Sequence, residues 1–240
     1  ERFIDEFLDR TASVTTGKVY QAVINRERRG EYEGGTVQVV PHSTHEIQQC
    51  VLRAAKDVDI VITEIGGTVG DIESQPFLEA LRQFNVELPP EDCSFIHVTL
   101  LPIISPSNEI KTKPTQHSVR ELSSMGIQPD FLICRCDTRI PMEHRKKIAL
   151  QCSVKYDHVI QNINASSIYE VPMMLEREGL ASRVCEDLRL EDKQPDLDEW
   201  QAKVKKILNP QGTLEIALCG KYINLHDSSP FSYTTLTLRA

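Results

Sequence analysis

The sequence predicts an α/β fold in which helices cover a doubly wound, mostly parallel β-sheet. Two observations lead to this prediction. Short apolar runs of strand length alternate along the chain with longer segments in which apolar residues recur at helical spacing. One of the apolar runs is followed directly by a loop rich in glycines and carboxylates. Loops of this kind often follow the strands of a parallel sheet at the edge where a ligand binds. Right-handed crossovers are expected between neighbouring strands.

The predicted strands are short apolar runs bounded by polar or turn residues. They are residues 36–40, 59–63, 94–101, 130–134 and 158–160. The predicted helices lie between them, at residues 44–56, 75–84, 114–124 and 142–150. Because ligands of such folds gather at the carboxyl ends of the strands, we expect the functional residues in the loops that follow the strands.

Length and composition restrict the classes of function. The 240 residues are 40% hydrophobic and 26% charged, which is ordinary for a globular protein with a substantial core. The 27 basic and 35 acidic residues give a net charge of −8, which argues against a nucleic-acid surface. Seven cysteines without a CxxC pair argue against a disulfide framework or a zinc site. No apolar stretch approaches the roughly 18 residues of a membrane span, so we expect a cytoplasmic protein without a membrane partner.

A Gly-rich loop at residues 64–76, EIGGTVGDIESQP, follows the apolar run 58–62. Glu64 stands at the predicted strand end, where a carboxylate can bind Mg²⁺ together with substrate phosphates. The glycines let the backbone approach a ligand closely. Asp71 and Glu73 repel phosphates but accept hydrogen bonds from a base or a ribose. The loop therefore predicts a ligand that is polyanionic at one end and rich in donors at the other. An acidic surface loop with turn glycines is the alternative.

A second polar cluster, KTKPTQ, stands at the start of a predicted helix. Its two ammonium groups, two hydroxyls and one amide lie where free N–H groups and the helix dipole favour anions, and proline is favoured in the first turn. A triphosphate is the ligand that fits it best, and a solvated basic turn is the alternative. The residues are Lys111, Thr112, Lys113, Pro114, Thr115 and Gln116.

These two segments, with TTGKVY, ERRGEYEGGTVQVVPH and SSIYEVP, make the chain resemble CTP synthases. The resemblance runs from about residue 1 to residue 227 and covers the synthetase (amidoligase) part, whose fold is P-loop NTPase-like. It implies a ligase in which ATP phosphorylates the uracil O4 of UTP and ammonia from glutamine displaces that phosphate to give CTP. Mg²⁺, ATP as co-substrate, a cytoplasmic location and a homotetramer of the full-length enzyme are further implications.

The resemblance also assigns roles to individual residues. Lys111 is the catalytic candidate, and Glu64 corresponds to the Mg²⁺ ligand. The implied contacts of UTP and CTP are Asp71, Ile72, Glu73, Glu79, Lys147 and the six residues of KTKPTQ. The implied ATP contacts are Ile163, Asn164 and Ala165. Ile163 and Asn164 depart from the family pattern, which has a basic residue and an aspartate at these positions.

The resemblance predicts three segments along the chain. Residues 1–190 would form the synthetase domain, residues 191–212 a linker, and residues 213–240 the start of a glutaminase domain with a tail that departs from the family pattern. Because no GxxxxGKS/T motif occurs, we expect an incomplete domain that lacks its N-terminal P-loop and is inactive alone. A nucleotide-binding but inactive subunit of CTP synthase assemblies is the second hypothesis. Another amide-forming P-loop ligase is the third.

Overall fold

The computed structural model describes residues 3–4, 7–104 and 109–212. The chain divides into two compact units, Glu1–Leu197 and Asp198–Ala240. The first unit has helices packed around a parallel β-sheet, which confirms the predicted α/β fold class.

The strands of the described residues form a parallel sheet and a small antiparallel hairpin. In chain order they are β1 (Ile96–Leu100), β2 (Ile103–Ile104), β3 (Glu109–Ile110), β4 (Phe131–Cys136) and β5 (Val159–Ile163). The parallel sheet has the order β1-β4-β5, with Ile96 opposite Phe131 and Leu132 opposite Val159. The hairpin pairs β2 with β3. The predicted strands at 94–101, 130–134 and 158–160 are therefore confirmed as β1, β4 and β5.

The helices of the first unit include all four that the sequence predicts, as α2 to α5. In chain order they are α1 (Thr16–Arg28), α2 (Thr44–Ala54), α3 (Gln75–Glu87), α4 (Lys113–Ser124), α5 (Met142–Cys152), α6 (Val171–Arg177) and α7 (Leu180–Asp187). The second unit contributes α8 (Asp198–Leu208). Within the described part of the chain, no helix combines the length and the apolar character needed to cross a membrane.

The main core packs α4 and α5 against one face of the parallel sheet. Leu132 and Cys134 are two residues apart on β4, so both point to this face of the sheet. They meet Val119 of α4 and Ile148 of α5, and all four side chains are buried. Because this core ties both helices to the sheet, it also fixes the residues at their N-terminal ends relative to the carboxyl ends of the strands.

Two predicted strands are wrong. Residues 36–38 have no regular structure, and Val39–Ser43 form a helical turn that contains the cis Val40–Pro41 peptide. Residues 59–63 also lack regular structure. A strand needs a partner to bond its backbone groups, and neither segment pairs with another segment of the described residues. The apolar side chains near the second segment are accordingly exposed, by 54% at Val58, 57% at Ile60 and 89% at Ile62.

The predicted linker region contains a helix. Residues 191–197 have no regular structure, and α8 then begins at Asp198. Residues 213–240, predicted to begin a glutaminase domain, lie outside the described residues. The division into a synthetase domain, a linker and a glutaminase segment stays a prediction.

Candidate functional site

The hairpin β2–β3 brings the KTKPTQ segment back to the carboxyl end of β1. The chain leaves β1 at Leu100, and after the hairpin the backbone N–H of Lys111 donates to the carbonyl of Pro102 at 2.9 Å. The helix α4 begins two residues later, at Lys113. Lys111 therefore lies at the edge of a parallel sheet where ligands usually bind.

Buried threonines attach the start of α4 to β1. Thr115 is fully buried, and its hydroxyl lies 3.1 Å from the carbonyl oxygen of Leu100 and 3.2 Å from Oγ1 of Thr99. Thr112 is also buried, and its Oγ1 accepts a hydrogen bond from the Gln116 amide at 3.1 Å. Three of the six predicted ligand-binding residues therefore have a structural role: Thr112, Thr115 and Gln116. Lys113 and Pro114, by contrast, are exposed.

A charged cluster forms around Glu109. Its Oε2 lies 2.7 Å from Nζ of Lys111. The hydrogen bond and positive charge of Lys111 lower the pKa of Glu109, and the charges of Lys147 and His144 on α5 act in the same direction. Of the predicted phosphate contacts, Lys111 touches Glu109 directly, and Lys147 acts on Glu109 through its charge. Among the described residues, the buried Nδ1 atom of His144 has no hydrogen-bond partner.

The Gly-rich loop lies against α4. A Cβ added to Gly70 would come within 3.5 Å of Glu121 of α4, and the positive φ of +101° favours glycine there. Oδ2 of Asp71 accepts a hydrogen bond from the Thr68 backbone N–H at 3.0 Å. Ile72 and Glu73 are exposed on the short turn that follows. The loop thus presents two of its predicted nucleotide contacts to solvent beside the helix that carries KTKPTQ.

Two predicted acidic site residues do not join this cluster. Both oxygens of Glu79 accept hydrogen bonds from Arg82, each at 2.8 Å, and Gln83 donates a third at 2.9 Å. The bonds from Arg82 lower the pKa of Glu79. Glu64 is exposed, and no group of three His, Cys, Asp or Glu side chains suited to a metal ion occurs within residues 3–4, 7–104 and 109–212. For a metal ion, Glu64 therefore provides one exposed carboxylate rather than a cluster of ligands among the described residues.

The predicted ATP contacts lie where β5 ends. Ile163 is the last residue of β5, and the Asn164 N–H donates to the Cys136 carbonyl at 3.1 Å. The Asn164 amide donates to Asp137 Oδ1 at 2.7 Å. Residues 163–165 therefore lie at the same carboxyl edge of the sheet as the end of β1, and the Asn164 side chain has Asp137 as its partner.

The sequence did not reveal a network that joins α5 to β5. The guanidinium of Arg145 forms a bidentate ion pair with Glu178, with Nη1 2.8 Å from Oε2 and Nη2 3.2 Å from Oε1. Gln161 of β5 donates to the same carboxylate at 2.8 Å and accepts from the Ile140 N–H at 3.1 Å. Because Arg145 lies in a run of three basic residues and its partner is 33 residues away, no local pattern indicates this pair.

Glu109 was also absent from the predicted site, although a local signal existed. In an extended segment, residues two apart point to the same side. The pattern Glu-Ile-Lys at residues 109–111 therefore places a carboxylate beside the lysine that was predicted to bind phosphate.

Comparisons with known proteins agree with the motifs. The family model described as CTP synthase N-terminus matches residues 1–190. Proteins named CTP synthase are similar over 95% of this chain. They include those of Picosynechococcus sp. at 56% identity, Ruminiclostridium cellulolyticum at 54% and Symbiobacterium thermophilum at 55%. The chain spans 42–43% of the length of these relatives.

These matches also correct one prediction. They identify residues 1–190 as the N-terminal synthetase region, and they do not support the expectation that this region lacks its P-loop. The family model covers most of the chain, and the relatives are more than half identical to it. The chain therefore belongs to the CTP synthase family.

Proposed function

We propose that the protein binds UTP and CTP at the carboxyl end of β1 and takes part in the ATP-dependent amination of UTP to CTP. In this reaction ATP phosphorylates the uracil O4, and ammonia from glutamine then displaces the phosphate. The observation that supports the proposal best is the position of Lys111 at the carboxyl end of β1, beside the N-terminus of α4, where its backbone is held by the Pro102 carbonyl.

The lysine cluster suits the triphosphate. Ammonium groups form strong, charge-assisted hydrogen bonds with phosphate oxygens. The dipole and free N–H groups at the start of α4 favour the same negative charge. Lys113 is exposed in the first turn of α4, so its side chain is free to add a third positive charge.

The Gly-rich loop suits the nucleoside. Glu73 and Asp71 are exposed, and their carboxylate oxygens can accept hydrogen bonds from ribose hydroxyls or from the amino group of cytosine. The loop contacts α4 at Glu121, about 12 Å along the helix from Lys113. In the proposed pose the phosphates lie at Lys111 and the sugar and base extend toward this loop. The exposed Ile72 offers an apolar contact.

The Mg²⁺ and ATP contacts are part of the same proposal. Mg²⁺ commonly takes one or two protein carboxylates and completes its shell with water and phosphate oxygens, so the single carboxylate of Glu64 fits it. When bound, Mg²⁺ would offset charge between the phosphates. ATP would lie near residues 163–165. The ammonia supply, the homotetramer and the cytoplasmic location belong to the same proposal, and the relatives named CTP synthase are more than twice as long as this chain.

Nucleotide titrations test the proposed function. In isothermal titration calorimetry of the chain, we expect UTP and CTP to bind and to displace each other from one site, whereas GTP does not displace them. A correctly folded chain that binds neither pyrimidine nucleotide would contradict the proposal. Incubation with UTP, ATP and ammonium, followed by mass spectrometry for CTP, separates a synthetase from a nucleotide-binding subunit without activity.

A Glu64→Gln substitution tests the metal contact. We expect the chain with this substitution to lose the Mg²⁺-dependent part of its nucleotide affinity, because the amide lacks the negative charge that the hard cation prefers. The thermal unfolding temperature should not change, since Glu64 is exposed. Asp59→Asn removes a carboxylate from the same exposed segment and serves as the matched control. Equal Mg²⁺ dependence in wild type and Glu64→Gln would rule out this ligand.

A further inference from the structure

Glu109 brings a negative charge into the cluster that is proposed to hold the nucleotide phosphates. Its carboxylate lies 2.7 Å from the ammonium of Lys111. The charges of Lys147 and His144 also lower the pKa of Glu109. A phosphate that binds to Lys111 therefore brings like charge close to Glu109.

The backbone of the β2–β3 hairpin positions Glu109 beside Lys111. Glu109 and Ile110 form β3, which pairs with Ile104 and Ile103 of β2. The next residue, Lys111, is held by its hydrogen bond to the Pro102 carbonyl. In such an extended segment the side chains of residues 109 and 111 leave on the same side. The hairpin thus sets the carboxylate beside the ammonium, whereas two long side chains on separate surface loops would meet only occasionally.

We propose that Glu109 competes with the nucleotide phosphates for Lys111 and thereby sets the affinity of the site. This inference rests on the proposed function. The Glu109 side chain is 58% exposed, so it can turn into solvent when a phosphate takes its place. The exchange replaces one charge-assisted hydrogen bond by another, and only their difference contributes to binding. Competition of this kind weakens binding and speeds release of the nucleotide.

A contrasting role would be orientation. If Glu109 only holds the Lys111 ammonium in the position that a phosphate needs, then neutralising Glu109 frees the lysine and weakens binding. The two roles predict opposite changes in affinity, so the same substitution distinguishes them.

The test is a Glu109→Gln substitution, which keeps the shape of the side chain and removes its charge. We expect UTP and inorganic tripolyphosphate to bind about two- to five-fold more tightly, the range expected for removal of one exposed charge interaction. Glu191→Gln is the matched control, because Glu191 pairs with Lys193 at 3.0 Å with the same spacing of two residues on an exposed segment. Its affinities should equal those of the wild type. Higher salt should reduce the gain of Glu109→Gln, since it screens exposed charges.

Unchanged or weaker binding of both ligands to Glu109→Gln, in a protein that unfolds at the wild-type temperature, would overturn the competition. Tripolyphosphate separates this inference from the proposed function. If it binds more tightly to Glu109→Gln while UTP binds to neither protein, the competition holds and the pyrimidine assignment fails. If neither ligand binds to either protein, both proposals fall, because no phosphate site is then present.

Discussion

Replacing Lys111 by alanine is expected to weaken UTP binding about 10- to 150-fold, or by ~1.5–3 kcal/mol, the range of a hydrogen bond to a charged group. Lys111 combines a position at the carboxyl end of β1 with a backbone held by the Pro102 carbonyl. The truncation removes both the donor and the charge, and the phosphate oxygen then keeps only its contact with water. Calorimetric titration of the chain with UTP measures the effect.

Lys193→Ala is the matched control for this experiment. Lys193 is an exposed lysine that also pairs with a carboxylate two residues away, and its replacement changes the net charge equally. UTP affinity should stay at the wild-type value. Both substitutions should leave the free energy of unfolding almost unchanged, because exposed ion pairs contribute little to stability. An unchanged UTP affinity of Lys111→Ala would show that KTKPTQ is only a solvated helix start.

Replacing Glu178 by alanine is expected to lower the free energy of unfolding by roughly 2–3 kcal/mol, somewhat less than the loss of one partner from a fully buried pair. The side chains of Arg145 and Glu178 are only 19% and 17% exposed. Without the carboxylate, the guanidinium and the Gln161 amide both lose a partner in a region that water reaches poorly. Urea unfolding at pH 7, followed by circular dichroism, measures the change.

Glu91→Ala provides the comparison for Glu178→Ala. Glu91 also pairs with a distant arginine, Arg189, at 3.0 Å, but the arginine side chain is 75% exposed. Its loss should cost less than about 1 kcal/mol. Equal destabilisation by the two substitutions would contradict the structural importance assigned to the Arg145–Glu178 pair.

The sequence predicted those parts of the fold whose signals are local. Helices α2 to α5 and strands β1, β4 and β5 follow from periodicity and apolar runs. Residues 59–63 contain an apolar run, as β4 does, but have no partner strand among the described residues, and pairing is a long-range property. Apolar composition alone therefore could not separate the two cases.

In the candidate site, too, local contacts follow from the sequence and long-range contacts do not. Lys111 and Lys147 were predicted as contacts of one ligand, and this stays a prediction, whereas the structure shows Lys111 in an ion pair with Glu109. The ion pair of Glu79 with Arg82, three residues later on α3, follows from helical spacing. The Arg145–Glu178 pair depends on how α5 meets the chain after α6, and only the packed molecule shows it.

The burial of Thr115 has a consequence for the entropy of binding. Its hydroxyl contacts at the end of β1 order the first turn of α4 as part of folding. A nucleotide that binds there does not have to immobilise the backbone, whose ordering costs about 1–2 kcal/mol per residue. Only mobile side chains such as that of Lys111 lose freedom, at about 0.5–1.5 kcal/mol each. A substitution at Thr115 would therefore weaken nucleotide binding through lost preorganisation of the first turn of α4.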